Sequence, residues 1–174
     1  MKLISSIFIN LLIISFLFGN IEDTTSLKSN FIQRVTNDQG SIIEYKGEVF
    51  ATKGNLALWS YISPVNKQIF YNNGNVVVIE PELEQAIFSK LDKIPNLFQI
   101  LKSAKKISNN KLLAKCCSNT YTITTNNGKI DKIEYKDEMD NFVTIKFYNQ
   151  RLNEKIDRSV FTYKIPKHYD LLKQ

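Results

Sequence analysis

The chain is poor in the residues that most enzymes and metal sites rely on. It has one histidine, His168, close to the C-terminus, and two cysteines, Cys116 and Cys117, which are adjacent. A single imidazole in a turn after the last strand reads as a solvated tail residue rather than a general base. Cys116, Cys117 and His168 fall short of a structural or catalytic zinc ligand set. On a strand, two neighbouring cysteines point to opposite faces. The expectation is therefore one buried and one exposed thiol, with a strained bridge in a turn as the alternative. No Gly-x-Ser-x-Gly, His-Glu-x-x-His or phosphate-cradling glycine loop occurs. The acidic residues are scattered, and Glu82 and Glu84 share a strand face without forming an acid/base pair. No run of five or more basic residues occurs. The balance is 23 Lys+Arg against 17 Asp+Glu, a net +6, and the densest patch is Lys102, Lys105 and Lys106. A nucleic-acid binder shows a basic stripe, so nucleic acid is not an expected partner. The mild basicity fits a solvated surface or weak attraction to anionic lipid headgroups. Internal repeats and low-complexity segments are absent. No apolar run reaches the roughly 20 residues of a membrane-spanning helix.

One apolar run is present at the N-terminus. Met1-Lys2 is a minimal basic start, Leu3–Phe18 is mostly apolar, and Gly19-Asn20 followed by Glu22-Asp23 breaks the run. This pattern reads as a secretory signal peptide over residues 1–20, cleaved after Gly19 or Asn20, with an uncleaved membrane anchor as the alternative. It leaves a single domain over 21–174, long enough to bury a useful core. No Cys follows the apolar run, so the mature chain is not expected to be lipidated itself.

The rest of the chain is organised around residues 50–86. Leu56–Ile62, Gln68–Tyr71 and Asn75–Glu80 are three β-like runs in succession. Asn72-Asn73-Gly74 marks a hairpin, because Asn and Gly tolerate positive φ. Pro64 removes a ladder donor and belongs in the turn before Lys67. Before this stretch, Glu22–Phe31 predicts a short amphipathic helix, with capping candidates Asp23, Thr24 and Thr25 and an i, i+4 pair Leu27/Phe31. Ser41–Thr52 alternates, with Ile43, Tyr45, Gly47, Val49 and Ala51 on one face and Glu44, Lys46 and Glu48 on the other. After it come strands over Glu84–Leu91, Lys111–Lys115, Thr120–Thr125, Ile130–Lys136, Phe142–Tyr148 and Val160–Tyr163. Asn126-Asn127-Gly128 is a second hairpin signal. Between the strands lies one convincing helix, Pro95–Ala104, with Leu97, Phe98, Ile100 and Leu101 as its apolar stripe and Pro95 at its first turn.

The fold class that follows is mainly β: one antiparallel sheet of about ten to eleven strands with one apolar face. A sheet that long must curl, split or be covered. Curled, it presents a concave apolar face with very little helix to cover it.

The order of features in the middle of the chain is Phe50, Lys53, Asn55-Leu56, Trp59, Pro64, Asn73-Gly74 and Pro81-Glu82-Leu83-Glu84-Gln85-Ala86. Phe31-x-Gln33 precedes it. The Pro95-x-Leu97 helix, Ile133 with Asp137, Asp140–Phe147, and Phe161-x-Tyr163-x-x-Pro166 with Asp170 follow it. This order resembles the outer-membrane lipoprotein carrier family (LolA). The resemblance implies an unclosed, or half, antiparallel β-barrel with a short helical lid over an apolar cavity, working as a monomer without a cofactor and without catalysis. It implies a periplasmic carrier whose cavity holds the acyl chains of lipoproteins. An inner-membrane lipoprotein-releasing ABC transporter would supply that cargo, and the outer membrane or a receptor there would take it. The candidate lining is then Val49, Leu56, Trp59, Tyr61, Phe70, Val78, Ile133, Tyr135, Val143, Ile145 and Phe147. The lid is Pro95, Leu97, Phe98, Ile100 and Leu101. Two positions depart from the family's habit. Lys53-Gly54 stands where Arg-Pro is common, and the flexible ammonium of Lys53 cannot reproduce a guanidinium fork in holding the lid. Ala57 stands where a larger apolar residue is often found, which would widen the mouth. The competing readings are the outer-membrane receptor of the same fold, a secreted structural β-protein with a closed core, and a periplasmic enzyme.

Overall fold

A computed structural model describes residues 21–90, 97–116 and 119–173. The predicted signal segment, Pro95 and Cys117 lie outside the described residues. The described chain folds into one twelve-stranded sheet. Its strands are β1 (Ser26–Thr36), β2 (Ile42–Thr52), β3 (Leu56–Ser63), β4 (Lys67–Asn72), β5 (Asn75–Glu80), β6 (Gln85–Lys90), β7 (Ala104–Ser108), β8 (Lys111–Cys116), β9 (Asn119–Asn126), β10 (Lys129–Lys136), β11 (Phe142–Leu152) and β12 (Asp170–Lys173). The spatial order is β12-β6-β5-β4-β3-β2-β1-β11-β10-β9-β8-β7. β7 and β12 are free edges, so the sheet is unclosed. All pairings are antiparallel except β12 on β6.

Sequence-local chemistry makes the hairpins. Asn73 (φ 48°) and Gly74 (φ 88°) turn β4 into β5, and Asn127 (φ 48°) and Gly128 (φ 73°) turn β9 into β10. These are the left-handed conformations that two-residue hairpin turns require. In the β1–β2 turn, Asn37 Oδ1 accepts from the backbone N–H of Gln39 and of Ser41. Asp137 does the same for Met139 and Asn141 in the β10–β11 turn. The Ser63–Pro64 peptide, in the turn before β4, is cis.

The single described α-helix, α1, is Leu97–Ser103. It touches both β8 and β2. Those strands are five spacings apart in the sheet order, about 24 Å on a flat sheet, whereas a seven-residue helix is only about 10 Å long. The sheet must therefore curl around the helix. Leu97, Phe98, Ile100 and Leu101 are all buried, together with inward residues of the sheet from Val76 on β5 to Ala114 on β8. The opposite, convex face carries a second apolar cluster: Leu58, Phe70, Val77, Ile79 and Ala86. It is covered by the C-terminal segment, which lays Ile156, Val160, Phe161, Ile165 and Tyr169 across β3 to β6.

Several expectations are corrected here. Residues 22–31 are not a helix. A 3-10 turn at Ile21–Asp23 leads into β1. Leu27 and Phe31 are four apart, which places them on one side of a helix and equally on one side of a strand. The deciding contacts are the ladders with β2 and β11 on either side. Residues 160–163 are not a strand. Asp157 Oδ1 accepts from the Ser159 backbone N–H at 2.8 Å and caps a 3-10 turn over Arg158–Phe161. The final strand is β12, and the helix stops at Ser103, where Ala104 begins β7 opposite Ala114.

Candidate functional site

The concave face alternates with the convex one along each strand except where a bulge shifts the register, as between Ile130 and Lys132 on β10, so local parity and packing assign the candidate residues. Val49, Trp59, Tyr61, Val78, Ile133, Tyr135, Val143, Ile145 and Phe147 all belong to the inner cluster shared with α1. Leu56 and Phe70 do not. They point outward and pack beneath the C-terminal segment. Leu56 has the opposite parity to Trp59 and Tyr61 on β3. Phe70 lies between Ile69 and Tyr71, which do face inward. Apolar residues on both faces of β3 and β4 hid this, since a strand covered on both sides carries no alternation to read.

The inner face is built around Phe31, which is fully buried. Its ring meets Trp59 at 5.0 Å and Tyr61 at 5.1 Å, both edge-on, and Trp59 reaches Phe147 at 6.3 Å. Gly47 sits opposite Phe31 on one side and Tyr61 on the other. A Cβ at Gly47 would overlap the Ser60 carbonyl oxygen and stand 2.8 Å from Phe31 Cζ. The missing side chain is thus what lets two rings two strands apart touch across β2. Neither Phe31 nor Gly47 was among the candidates. The Gly within an alternating strand was the available signal, since it marks a close approach.

The tyrosine hydroxyls on this face are held neutral, and Gln150 Nε2 donates to Ile130 O at 2.7 Å while its Oε1 stays buried without a partner among the described residues. Tyr61 donates its hydroxyl to Gln33 Oε1 at 2.7 Å. Burial, with Tyr135 and Tyr45 nearby, raises the Tyr61 phenol far above its ordinary range. Burial first, then Tyr121 and Asp137, pushes Tyr135 up to about 12. Trp59, Tyr61, Ile69, Val78 and Tyr135 are only half-buried, although they point inward. They form the open part of the face beside the helix. Lys53, in the β2–β3 turn, is exposed. Its backbone N–H donates to Thr25 O at 2.8 Å, and its side chain makes no ion pair with any described residue. Cys116 is half-buried at the edge of the inner cluster. Among the described residues, no group of three or more His, Cys, Asp or Glu side chains is placed to hold a metal ion.

Fold and face together define a class of protein: an open antiparallel half-barrel whose inner surface is apolar and only partly occupied by a short helix. The profile of the family described as outer membrane lipoprotein carrier protein LolA matches residues 22–110. The outer-membrane lipoprotein carrier protein of Campylobacter jejuni is 43% identical over 148 residues, 85% of this chain and 86% of that protein. That of Wolinella succinogenes is 31% identical over 154 residues, 88% of this chain and 90% of that protein. An uncharacterized conserved protein from Thermus thermophilus has the same fold, with a TM-score of 0.53 at 11% identity, covering 88% of this chain and 93% of that one. The chain belongs to the outer-membrane lipoprotein carrier family, which is a family of carriers rather than enzymes.

Proposed function

We propose that this protein is a periplasmic lipoprotein carrier that shelters acyl chains on the concave face of its sheet. The observation that carries the reading is the incomplete cover of that face. Among the described residues a seven-residue helix lies across a sheet of twelve strands, and Trp59, Tyr61, Ile69, Val78 and Tyr135 remain partly exposed around it. Flexible hydrocarbon suits such a surface, because apolar contact is non-directional and scales with the area removed from water. The aromatic rings add wide faces on which methylene chains can lie.

In this reading residues 1–20 direct export and are removed, and residues 21–174 act as one monomeric domain without a catalytic step. An inner-membrane ABC transporter loads the lipoprotein, and the outer membrane or a receptor there accepts it. α1 is the lid, and Lys53 helps to hold it closed. Support for the lid comes from its size, since an isolated helix of this length is marginal in water and depends on the surface beneath it. Support for Lys53 is positional: it follows directly on β2, one of the strands that α1 touches.

The test is uptake by purified residues 21–174. A fluorescent fatty acid should bind with one saturable site, and the protein should release an acylated lipoprotein from membranes presenting it. A protein that binds neither has a closed core and is not a carrier.

A further inference from the structure

The net charge is not spread over the chain. Residues 93–130 contain seven lysines and no Asp or Glu, so everything else holds 16 basic residues against all 17 acids. The whole positive surplus therefore lies in one stretch. Five of these seven lysines lie, in space, at the β7 edge of the sheet and on the helix beside it. Lys102 ends α1, Lys105 and Lys106 are on β7, and Lys111 and Lys115 are on β8. All five are exposed. The neighbouring β9, Asn119–Asn126, has no acidic residue to offset them.

Register decides where they point. Ala104 pairs with Ala114, which is buried in the inner cluster. Lys105 pairs with Leu113 on the opposite parity, so Lys105, Lys111 and Lys115 share the outer face of this corner. Ile107, 57% exposed, stands on the free edge directly after Lys106. Edge lysines also discourage unwanted strand pairing. That role explains neither the single sign nor the position: the other free edge, β12, carries one Asp and one Lys, and Lys111 and Lys115 lie on an interior strand.

We infer that the β7–β8 corner docks the protein on an anionic phospholipid surface, with Ile107 entering the headgroup layer and the lysines above the lipid phosphates. The inference rests on the carrier reading, in which the protein meets membranes at both ends of its route. α1 runs directly into β7 and packs against β8, so docking there brings the lid to the bilayer. An acyl chain entering or leaving the concave face then stays close to hydrocarbon throughout. The pairing of lysines with an exposed aliphatic residue favours lipid over an acidic protein, because a bilayer supplies both a negative layer and an apolar one beneath it.

The experiment uses cargo-free residues 21–174 and co-sedimentation with vesicles. One set is phosphatidylcholine, and the other contains about 30% phosphatidylglycerol. Each lysine near an anionic surface changes partitioning roughly fivefold. Binding to the anionic vesicles should therefore exceed binding to neutral ones by at least about tenfold, and should fall between about 50 mM and about 300 mM salt. Lys105→Gln/Lys106→Gln/Lys111→Gln should weaken it roughly a hundredfold, and Ile107→Ser severalfold. Lys155→Gln/Lys164→Gln/Lys167→Gln removes the same charge from the exposed C-terminal segment and should change binding less than about threefold. Equal loss in the two triple variants, equal binding to both vesicles, or preferential capture by an acidic protein or nucleic acid would overturn the inference. Because no cargo is present, failure here leaves acyl uptake standing as a separate result. Vesicle binding without acyl uptake would instead remove the carrier reading.

Discussion

If α1 is a lid, shortening one of its buried side chains should loosen it and expose the site beneath. Phe98 is the largest such residue and is 9% exposed. Phe98→Ala removes about 3–5 kcal/mol of packing at a typical buried site. The four inward residues of α1 gain about 6–12 kcal/mol gross from burial, and ordering the seven-residue helix costs about 7–14 kcal/mol in backbone entropy. The closed lid therefore rests on a small difference, and a closed state favoured by about 2 kcal/mol hides the site roughly thirtyfold. Removing more than that difference should unmask it. The expected outcome is a fluorescent fatty acid bound roughly thirtyfold more tightly by Phe98→Ala. The urea midpoint of the cargo-free variant should drop only modestly, since the sheet core is untouched. The assay is a fluorescence titration with a denaturation curve on the same samples. Unchanged or weaker fatty-acid affinity together with a full 3–5 kcal/mol loss of global stability would mean that α1 is an ordinary core element, and the lid argument would fail.

Other outcomes follow from the same geometry. Gly47→Ala should cost about 1–3 kcal/mol or more in urea denaturation because the new methyl meets strand backbone and a buried ring; a loss under about 0.5 kcal/mol would mean that the β2–β3 spacing yields freely. A photo-crosslinker at Ile133, on the inner face, should capture lipoprotein cargo, whereas one at Lys132, which points outward and pairs with Glu134 at 2.8 Å, should not; equal capture would refute the assignment of the site to the concave face. The Tyr135 phenol, pushed up to about 12 by burial, stays protonated to higher pH in the folded state than in the unfolded one. Its contribution is complete below about pH 10 and is lost as pH rises towards 12, so stability should fall across that window and fall less in Tyr135→Phe. Lys53→Leu should favour the open lid and Lys53→Arg the closed one, read as faster and slower fatty-acid uptake; identical rates would remove Lys53 from the mechanism.

Much of the β architecture was legible because its signals are local. Asn73-Gly74 and Asn127-Gly128 specify their hairpins through backbone conformations that few other residues adopt, and the alternation of Ile133/Tyr135 and Val143/Ile145 needs only the two-residue period of a strand. The stripe Leu97, Phe98, Ile100 and Leu101 likewise marks a helix by its own spacing. The mistakes fell where local chemistry is ambiguous. Leu27 and Phe31 satisfy helical and strand parity alike, and only pairing with β2 and β11 decides between them.

Which face of a strand is which was decided by tertiary structure. Leu56 and Phe70 are as apolar as Trp59 and Ile69, yet they turn outward because the C-terminal segment returns to cover the convex side of β3 to β6. That return brings residues about 80–110 positions apart into contact, so no window of neighbouring sequence contains it. The same holds for the meeting of Phe31 with Tyr61 across Gly47, for the curl that lets one short helix touch β2 and β8, and for the corner where five lysines gather beside Ile107. The sequence by itself determined that the chain would form a long, mainly antiparallel sheet with a short helix near residues 97–103, since those patterns are written in periods of two and 3.6 residues. Only the closure of distant segments on one another could decide which apolar face stayed partly open, because burial is a property of what arrives from elsewhere in the chain.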